Sequence, residues 1–214
     1  VDLDLFLTAR SPETPVAEGA RGLNGPVIGY IGSLPEWIDM EPIAWLAQAR
    51  PHWSFLLVGP AAADVSALRP LPNVRLAGPQ PYATLPTWAK AFDAAIIPYR
   101  MNRQVANANP LKLREYLATG KPVVSTYNPE IAKFSQWVRI AEDREDFLAA
   151  LDLALAEDSE AAAEARVVHR TGGGERIAAE YLVRAQGLQV IGLVGLAADC
   201  VHLVAGLGED RDRQ

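Results

Sequence analysis

Sulfur and imidazole are scarce in this sequence. One cysteine, Cys200, stands among 214 residues, so no disulfide can close within the chain and no cysteine-rich zinc site can form. Cys200 has no neighbouring base and reads as a small hydrophobe. The three histidines, His52, His169 and His202, are scattered without metal-ligand spacing and read as surface or structural residues. Positive charge is also short. Twenty Lys and Arg against 26 Asp and Glu leave a net charge of −6, which argues against nucleic acid as a partner. G-x-S-x-G, the Walker lysine motif and paired catalytic carboxylates are all missing. The opening run VDLDLF lacks the basic flank and apolar core of a signal peptide, and with no initial Met the chain reads as an excised piece.

What is present is ordinary for a globular protein: 50% hydrophobic and 21% charged residues. The length suits one substantial α/β domain rather than two. Residues 1–26, punctuated by Pro12, Pro15, Gly19, Gly22, Gly25 and Pro26, read as a linker. Strands are expected at 27–32, 53–59, 73–78, 93–99, 123–126 and 137–141. Helices are expected at 40–49, 61–68, 82–91, 109–119 and, capped by Asp143, up to Ala156. Residues 100–108 read as a loop and Tyr127–Glu130 as a turn. Ser159 would cap a further helix over Glu160–His169, Gly172–Gly174 reads as a hinge, and Glu175–Ala185 is helix-like. The apolar run Gly187–Gly208 is long enough to span a bilayer, but Asp199, His202 and five glycines favour a peripheral helix or a diverged tail.

The chain is organised around NPLKLREYLATGKPVVST, Asn109 to Thr126. Asn109 suits an N-cap and Pro110 the first helical position. Leu113 and Leu117 give a buried stripe, Gly120 a left-handed stop, and Val123–Thr126 a buried strand. Lys112 and Glu115 share another face near the helix start, where free amides and the dipole favour anions. On pattern alone this reads as an ordinary helix–strand unit with a solvated Lys–Glu pair.

The same stretch resembles the donor-nucleotide segment of GT-B glycosyltransferases, the family-4-like enzymes in particular, and their bacterial surface-polysaccharide branch. Those carry E-x-x-x-x-x-x-x-E followed by A-x-G-x-P-V-V. Glu115 matches the second glutamate and Ala118–Val124 the rest, while Asn107 stands where the first glutamate is usual. Val1–Phe6 resembles the family's crossover phrase between domains. The resemblance implies a Rossmann-like three-layer α/β domain with a largely parallel sheet, the C-terminal half of a GT-B fold. Residues 1–26 would be the crossover segment, 27–170 the nucleotide-sugar domain, and 171–214 an atypical helical tail.

It also implies a site. Gly32 and Ser33 would form the turn near the donor phosphates, although SLPEWIDME after Gly32 offers none of the usual basic clamps. Gln80 and Tyr82 would lie by the base, Tyr82 either stacking or packing at a helix start. The amides around Ala108, Asn109, Pro110 and Leu111 would face the anion. Lys112 would neutralise the leaving diphosphate, Glu115 would accept from two ribose hydroxyls, and Asn107 would reach a sugar hydroxyl.

The implied protein moves a sugar from a nucleotide-sugar to a glycan or lipid-linked acceptor. It would retain anomeric configuration, need no further cofactor or metal, and depend on a missing N-terminal domain. A cytoplasmic setting, with the inner membrane face within reach, is expected. A GT-B-type sugar-nucleotide epimerase and a degenerate GT-B domain acting as an assembly surface are the alternatives.

Overall fold

The computed structural model describes residues 1–157, 160–171 and 174–177, all within one compact unit. Six strands form one sheet: β1 (Val27–Ile31), β2 (Ser54–Val58), β3 (Val74–Gly78), β4 (Ala94–Ile97), β5 (Val123–Thr126) and β6 (Val138–Ala141). Their order is β3-β2-β1-β4-β5-β6, and every neighbouring pair is parallel. VIGYI, SFLLV and AAII are continuous apolar runs rather than alternating ones, and all their residues are buried. A strand buried on both faces needs layers on both sides, so the three-layer Rossmann-like arrangement follows. The edge strand β3 is half-buried throughout, because one of its flanks has no neighbour.

Eight helices surround the sheet among the described residues: α1 (Leu3–Leu7), α2 (Met40–Ala49), α3 (Leu85–Ala89), α4 (Arg103–Ala106), α5 (Leu111–Ala118), α6 (Pro129–Ala132), α7 (Arg144–Ala156) and α8 (Glu160–Arg166). Helix α7 shows the logic of the long ones. Asp143 accepts from the Asp146 amide as its N-cap, and Phe147, Ala150, Leu151 and Ala154 are buried. Each large apolar side chain of that kind stabilises the fold by about 1.5–3 kcal/mol. Helix α5 stops at Gly120, whose φ of +73° only glycine adopts without strain.

Several expectations need correction. The opening segment, read as a linker, contains a short helix that packs on the core. Asp2 caps α1 through the Leu5 amide, and Leu3, Phe6, Ala9 and Ala20 are buried. Arg10 pairs with Glu164 of α8. The proline and glycine spacing hid a five-residue helix whose apolar face has a core to cover. Residues 61–68 form turns, not a helix. The Ala62 and Ala63 amides both donate to Leu34 O, and Asp64 accepts from Ser66, bonds that compete with helix formation. The helix expected from Tyr82 divides into a 3-10 turn, Tyr82–Thr84, and α3.

Residues 100–108 contain α4, capped by Asn102 through the Val105 amide. Helix α5 begins one residue later than expected, with Pro110 in the cap position, and Asn109 instead accepts from the Arg114 guanidinium at 2.6 Å. The expected turn at 127–130 runs into α6, which Asn128 caps. Helix α8 ends at Arg166. Beyond it the backbone forms an antiparallel hairpin of β7 (Val168–Thr171) and β8 (Gly174–Ile177), where helix had been expected on both sides of the glycines. Ser159, Gly172, Gly173 and the stretch from Ala178 on, including Cys200, His202 and the apolar run, lie outside the described residues. Among the described residues no helix is long and apolar enough to cross a membrane.

Candidate functional site

In an open parallel sheet, ligands bind beyond the carboxyl ends of the strands where the order reverses, here between β1 and β4. Gly32 and Lys112 meet there because the chain leaves β1 at Gly32, leaves β4 at Pro98-Tyr99, and returns through α4 to the start of α5. Helix α5 presents Lys112 and Glu115 one turn apart on one face.

Lys112 points back towards the β1 turn. Its Nζ donates to Tyr99 Oη at 3.4 Å, and stands 5.0 Å from the Tyr30 ring centre and 5.3 Å from that of Tyr99. The ammonium therefore lies between two phenol rings, whose faces attract cations. Gly32 makes room for it. A Cβ there would lie 3.2 Å from Lys112 Cε, and the φ of +136° would strain any other residue. Burial pulls the Lys112 pKa down from 10.5 to about 8, while the nearby Glu115 carboxylate pushes it up. Burial also pushes Tyr99 up to about 12 and Tyr30 far up, so both phenols stay neutral. The Tyr30 hydroxyl donates to Ser33 O at 2.7 Å, fixing the turn, and the Ser33 side chain is exposed.

Glu115 meets a second cluster. Its Oε1 accepts from the Tyr82 hydroxyl at 3.1 Å, and that hydroxyl accepts from the Asp2 amide at 3.4 Å. The Tyr82 ring meets Phe6 edge-on at 5.9 Å and remains 48% exposed. Tyr82 thus packs on one side and keeps surface open on the other. Burial raises the Glu115 pKa, and the Tyr82 hydrogen bond and Lys112 charge oppose that rise.

The other expected residues are less engaged. Gln80 turns back to donate to Ala77 O, and the Asn107 side chain donates to Arg103 O. The Ala108 amide is used by Val105 O in the α4 turn, so it is no longer a free donor to an anion. Pro110 has no amide hydrogen to offer, and Leu111 is exposed at the helix start. The amides of Leu111 and Lys112 have no backbone acceptor and remain the open donors of the first turn.

Tyr30 and Tyr99 flank Lys112, and Tyr116 bonds to the end of β1; none of the three is among the residues expected from the sequence. A legible signal existed for two of them. Tyr30 is the one polar-tipped residue of β1, and Tyr99 closes the β4 run, so both stand at the carboxyl ends of the two central strands. Past Tyr99 the same edge opens into a cleft of about 600 Å³ whose lining includes Asp39, Arg100, Met101, Thr126, Tyr127 and Glu142. Among the described residues no cluster of His, Cys, Asp or Glu has the makings of a metal site.

Known proteins resemble this chain in sequence and in fold. The chain is 36% identical over 141 residues to TuaH of Bacillus subtilis (strain 168), named as a candidate teichuronic acid biosynthesis glycosyltransferase; the match covers 64% of this chain and 35% of that one. The crystal structure of Anabaena Alr3699/HepE in complex with UDP and glucose superposes with a TM-score of 0.55 at 17% identity, over 94% of this chain and 55% of that one. Sucrose-phosphate synthase from Thermosynechococcus elongatus gives a TM-score of 0.58 at 17% identity, over 98% and 52%. The chain thus spans about a third of its curated relative and about half of each solved structure. Residues 25–168, the whole six-stranded sheet included, match the family described as glycosyl transferases group 1. The chain belongs to that family, the GT-B glycosyltransferases of group 1.

Proposed function

We propose that this chain is the donor-binding half of a glycosyltransferase that moves a sugar from a nucleotide-sugar to a glycan or lipid-linked acceptor. The observation that carries the reading is the pair Lys112 and Glu115, one helical turn apart at the strand-order reversal of a group 1 glycosyl transferase domain. Glu115 accepts from two vicinal ribose hydroxyls, replacing the Tyr82 hydroxyl or sharing with it. Lys112 and the first-turn amides of α5 meet the diphosphate. In the reaction the bond from the anomeric carbon to the diphosphate oxygen breaks and a bond to an acceptor hydroxyl oxygen forms. The electron pair leaves on the diphosphate, where a positioned ammonium lowers the barrier most.

Gln80, Tyr82, Asn107 and Asn109 form the rim of this site, with Gly32 and Ser33 below the phosphates. The base that the β1 turn lacks comes from α5, which favours a ligand-binding domain over a bare assembly surface. The epimerase alternative finds no support in the family match. An N-terminal GT-B domain supplies the acceptor site, and the sugar is transferred with retention, as in the family-4-like enzymes that the sequence resembles. UDP is the first nucleotide to try, since the Anabaena neighbour holds it.

Calorimetric titration of the chain with UDP, GDP and ADP tests the reading. One of the three binds with a Kd below the millimolar range, and the chain alone, given the matching nucleotide-sugar and a glycan acceptor, turns nothing over. Binding of none removes the donor-site assignment, and turnover by the chain alone removes the half-enzyme assignment.

A further inference from the structure

The seam between β1 and β4 is incomplete at its carboxyl end. The odd-numbered residues of β1 turn their amides and carbonyls towards β4. At the amino end Asp93 closes the seam twice, its amide donating to Val27 O at 2.8 Å and its carboxylate accepting from the Val27 amide at 2.7 Å. Pairing continues through Ile28 with Ala94 and Gly29 with Ala95, then ends. Ile31 is the next residue of β1 facing that side, and β4 is no longer beside it.

The hydroxyl of Tyr116 takes the place of the strand. It accepts from the Ile31 amide at 2.7 Å and donates to the Ile31 carbonyl at 3.2 Å. One hydroxyl thereby satisfies both backbone groups, using its single hydrogen and one lone pair. Tyr116 is 1% exposed, and burial holds its pKa well above the ordinary phenol value, so the hydrogen stays on. It lies one turn beyond Lys112 on the same face of α5, so Lys112 sits in the mouth of the parted seam and Tyr116 at its floor.

We infer that Tyr116 is a positioning residue: its hydroxyl ties α5 to the end of β1 and sets the spacing between Lys112 and the Gly32 turn, hence the grip on a diphosphate it does not touch. This rests on the donor-binding reading above. The two halves of the anion seat come from distant parts of the chain, the β1 turn and the first turn of α5. Tyr116 to Ile31 is a direct hydrogen-bonded link between them, whereas Lys112 meets Tyr30 of β1 through the face of its ring.

The test uses Tyr116→Phe in the full 214-residue chain, with the nucleoside and nucleoside diphosphate of the base that the wild-type chain binds (uridine and UDP, guanosine and GDP, or adenosine and ADP). The diphosphate affinity falls about tenfold, as for one lost positioning hydrogen bond, and the nucleoside affinity is unchanged. A purely structural hydroxyl would lower both together or neither, and either result overturns the inference. Amide exchange at Ile31 in the wild-type chain decides the matter independently should the variant fail to fold: it slows on diphosphate binding but not on nucleoside binding. Equal exchange in both complexes overturns the inference as well. A wild-type chain that binds no nucleotide brings down the donor-site reading first, a failure visible before any variant is made.

Discussion

The ammonium of Lys112 stands 5.0 Å from the centre of the Tyr30 ring, although the two residues are far apart in the chain and belong to different elements. The contact gives the β1 turn the positive charge its own sequence lacks. It also keeps that charge in partly buried surroundings, where it is costly to the protein and strong towards an anion.

Lys112→Met separates those two effects. The diphosphate loses about ten- to a hundredfold in affinity, the loss of a hydrogen bond to a charged group, while the nucleoside is unaffected. The apolar side chain removes the half-buried charge, so the variant is more stable at pH 7, on the order of 1 kcal/mol. Calorimetry with both ligands and urea unfolding measure the two changes. Equal losses for nucleoside and diphosphate would mean that Lys112 only shapes the pocket.

The pH dependence follows from the same residue. Its pKa is lowered from 10.5 to about 8 in the folded chain, so between those values the unfolded chain binds more protons. Stability from this group therefore rises with pH across that window, and the charged form is a burden below it. The stability advantage of Lys112→Met should shrink as pH is raised from 7 towards 10. Diphosphate affinity moves the other way in wild type. It falls about tenfold from pH 7 to pH 9 as the ammonium is lost, and is flat over that range in the variant. A flat wild-type profile would show that the ammonium does not meet the anion.

Glu115→Ala lowers nucleoside and diphosphate affinity alike, by about ten- to a hundredfold, because the ribose is common to both. The domain stays folded, since the carboxylate is held by one exposed tyrosine hydroxyl and its own pKa is raised by burial. Circular dichroism and titration with both ligands check this. Unchanged affinity in a folded variant would take Glu115 out of the site.

Gly32→Ala introduces a Cβ 3.2 Å from Lys112 Cε at a φ that other residues rarely adopt. The backbone strain costs about 1–3 kcal/mol, and Lys112 has to move from its slot. Reduced stability with a diphosphate-selective loss is expected. A variant as stable and as tight as wild type would show that the turn is not held as described.

Phe6→Ala measures how far the opening segment belongs to the domain. Phe6 is fully buried beside Tyr82, so its truncation costs about 3–5 kcal/mol in urea unfolding. A loose linker residue would cost almost nothing.

Much of this protein is legible along the chain. The runs VIGYI, SFLLV, AAII and VVST announce buried parallel strands because two-sided burial leaves no room for polar alternation. Asp143 and Gly120 mark helix ends through local hydrogen bonding and φ, which depend on neighbours alone. The family was legible only through resemblance, carried by Glu115 and by Ala118–Val124, which lie close together in the chain. What stayed hidden depends on distant partners. Leu34 pulled residues 61–68 out of helix, and a core waiting for Phe6 turned a proline-rich opening into packed structure. The parting of β1 and β4 is invisible until both strands are placed, and only then do Tyr30 and Tyr99 flank Lys112 and Tyr116 reach Ile31. Local propensity acts over a few residues, whereas the charge, burial and hydrogen bonding of the site are set by elements that meet only when the sheet has closed its order.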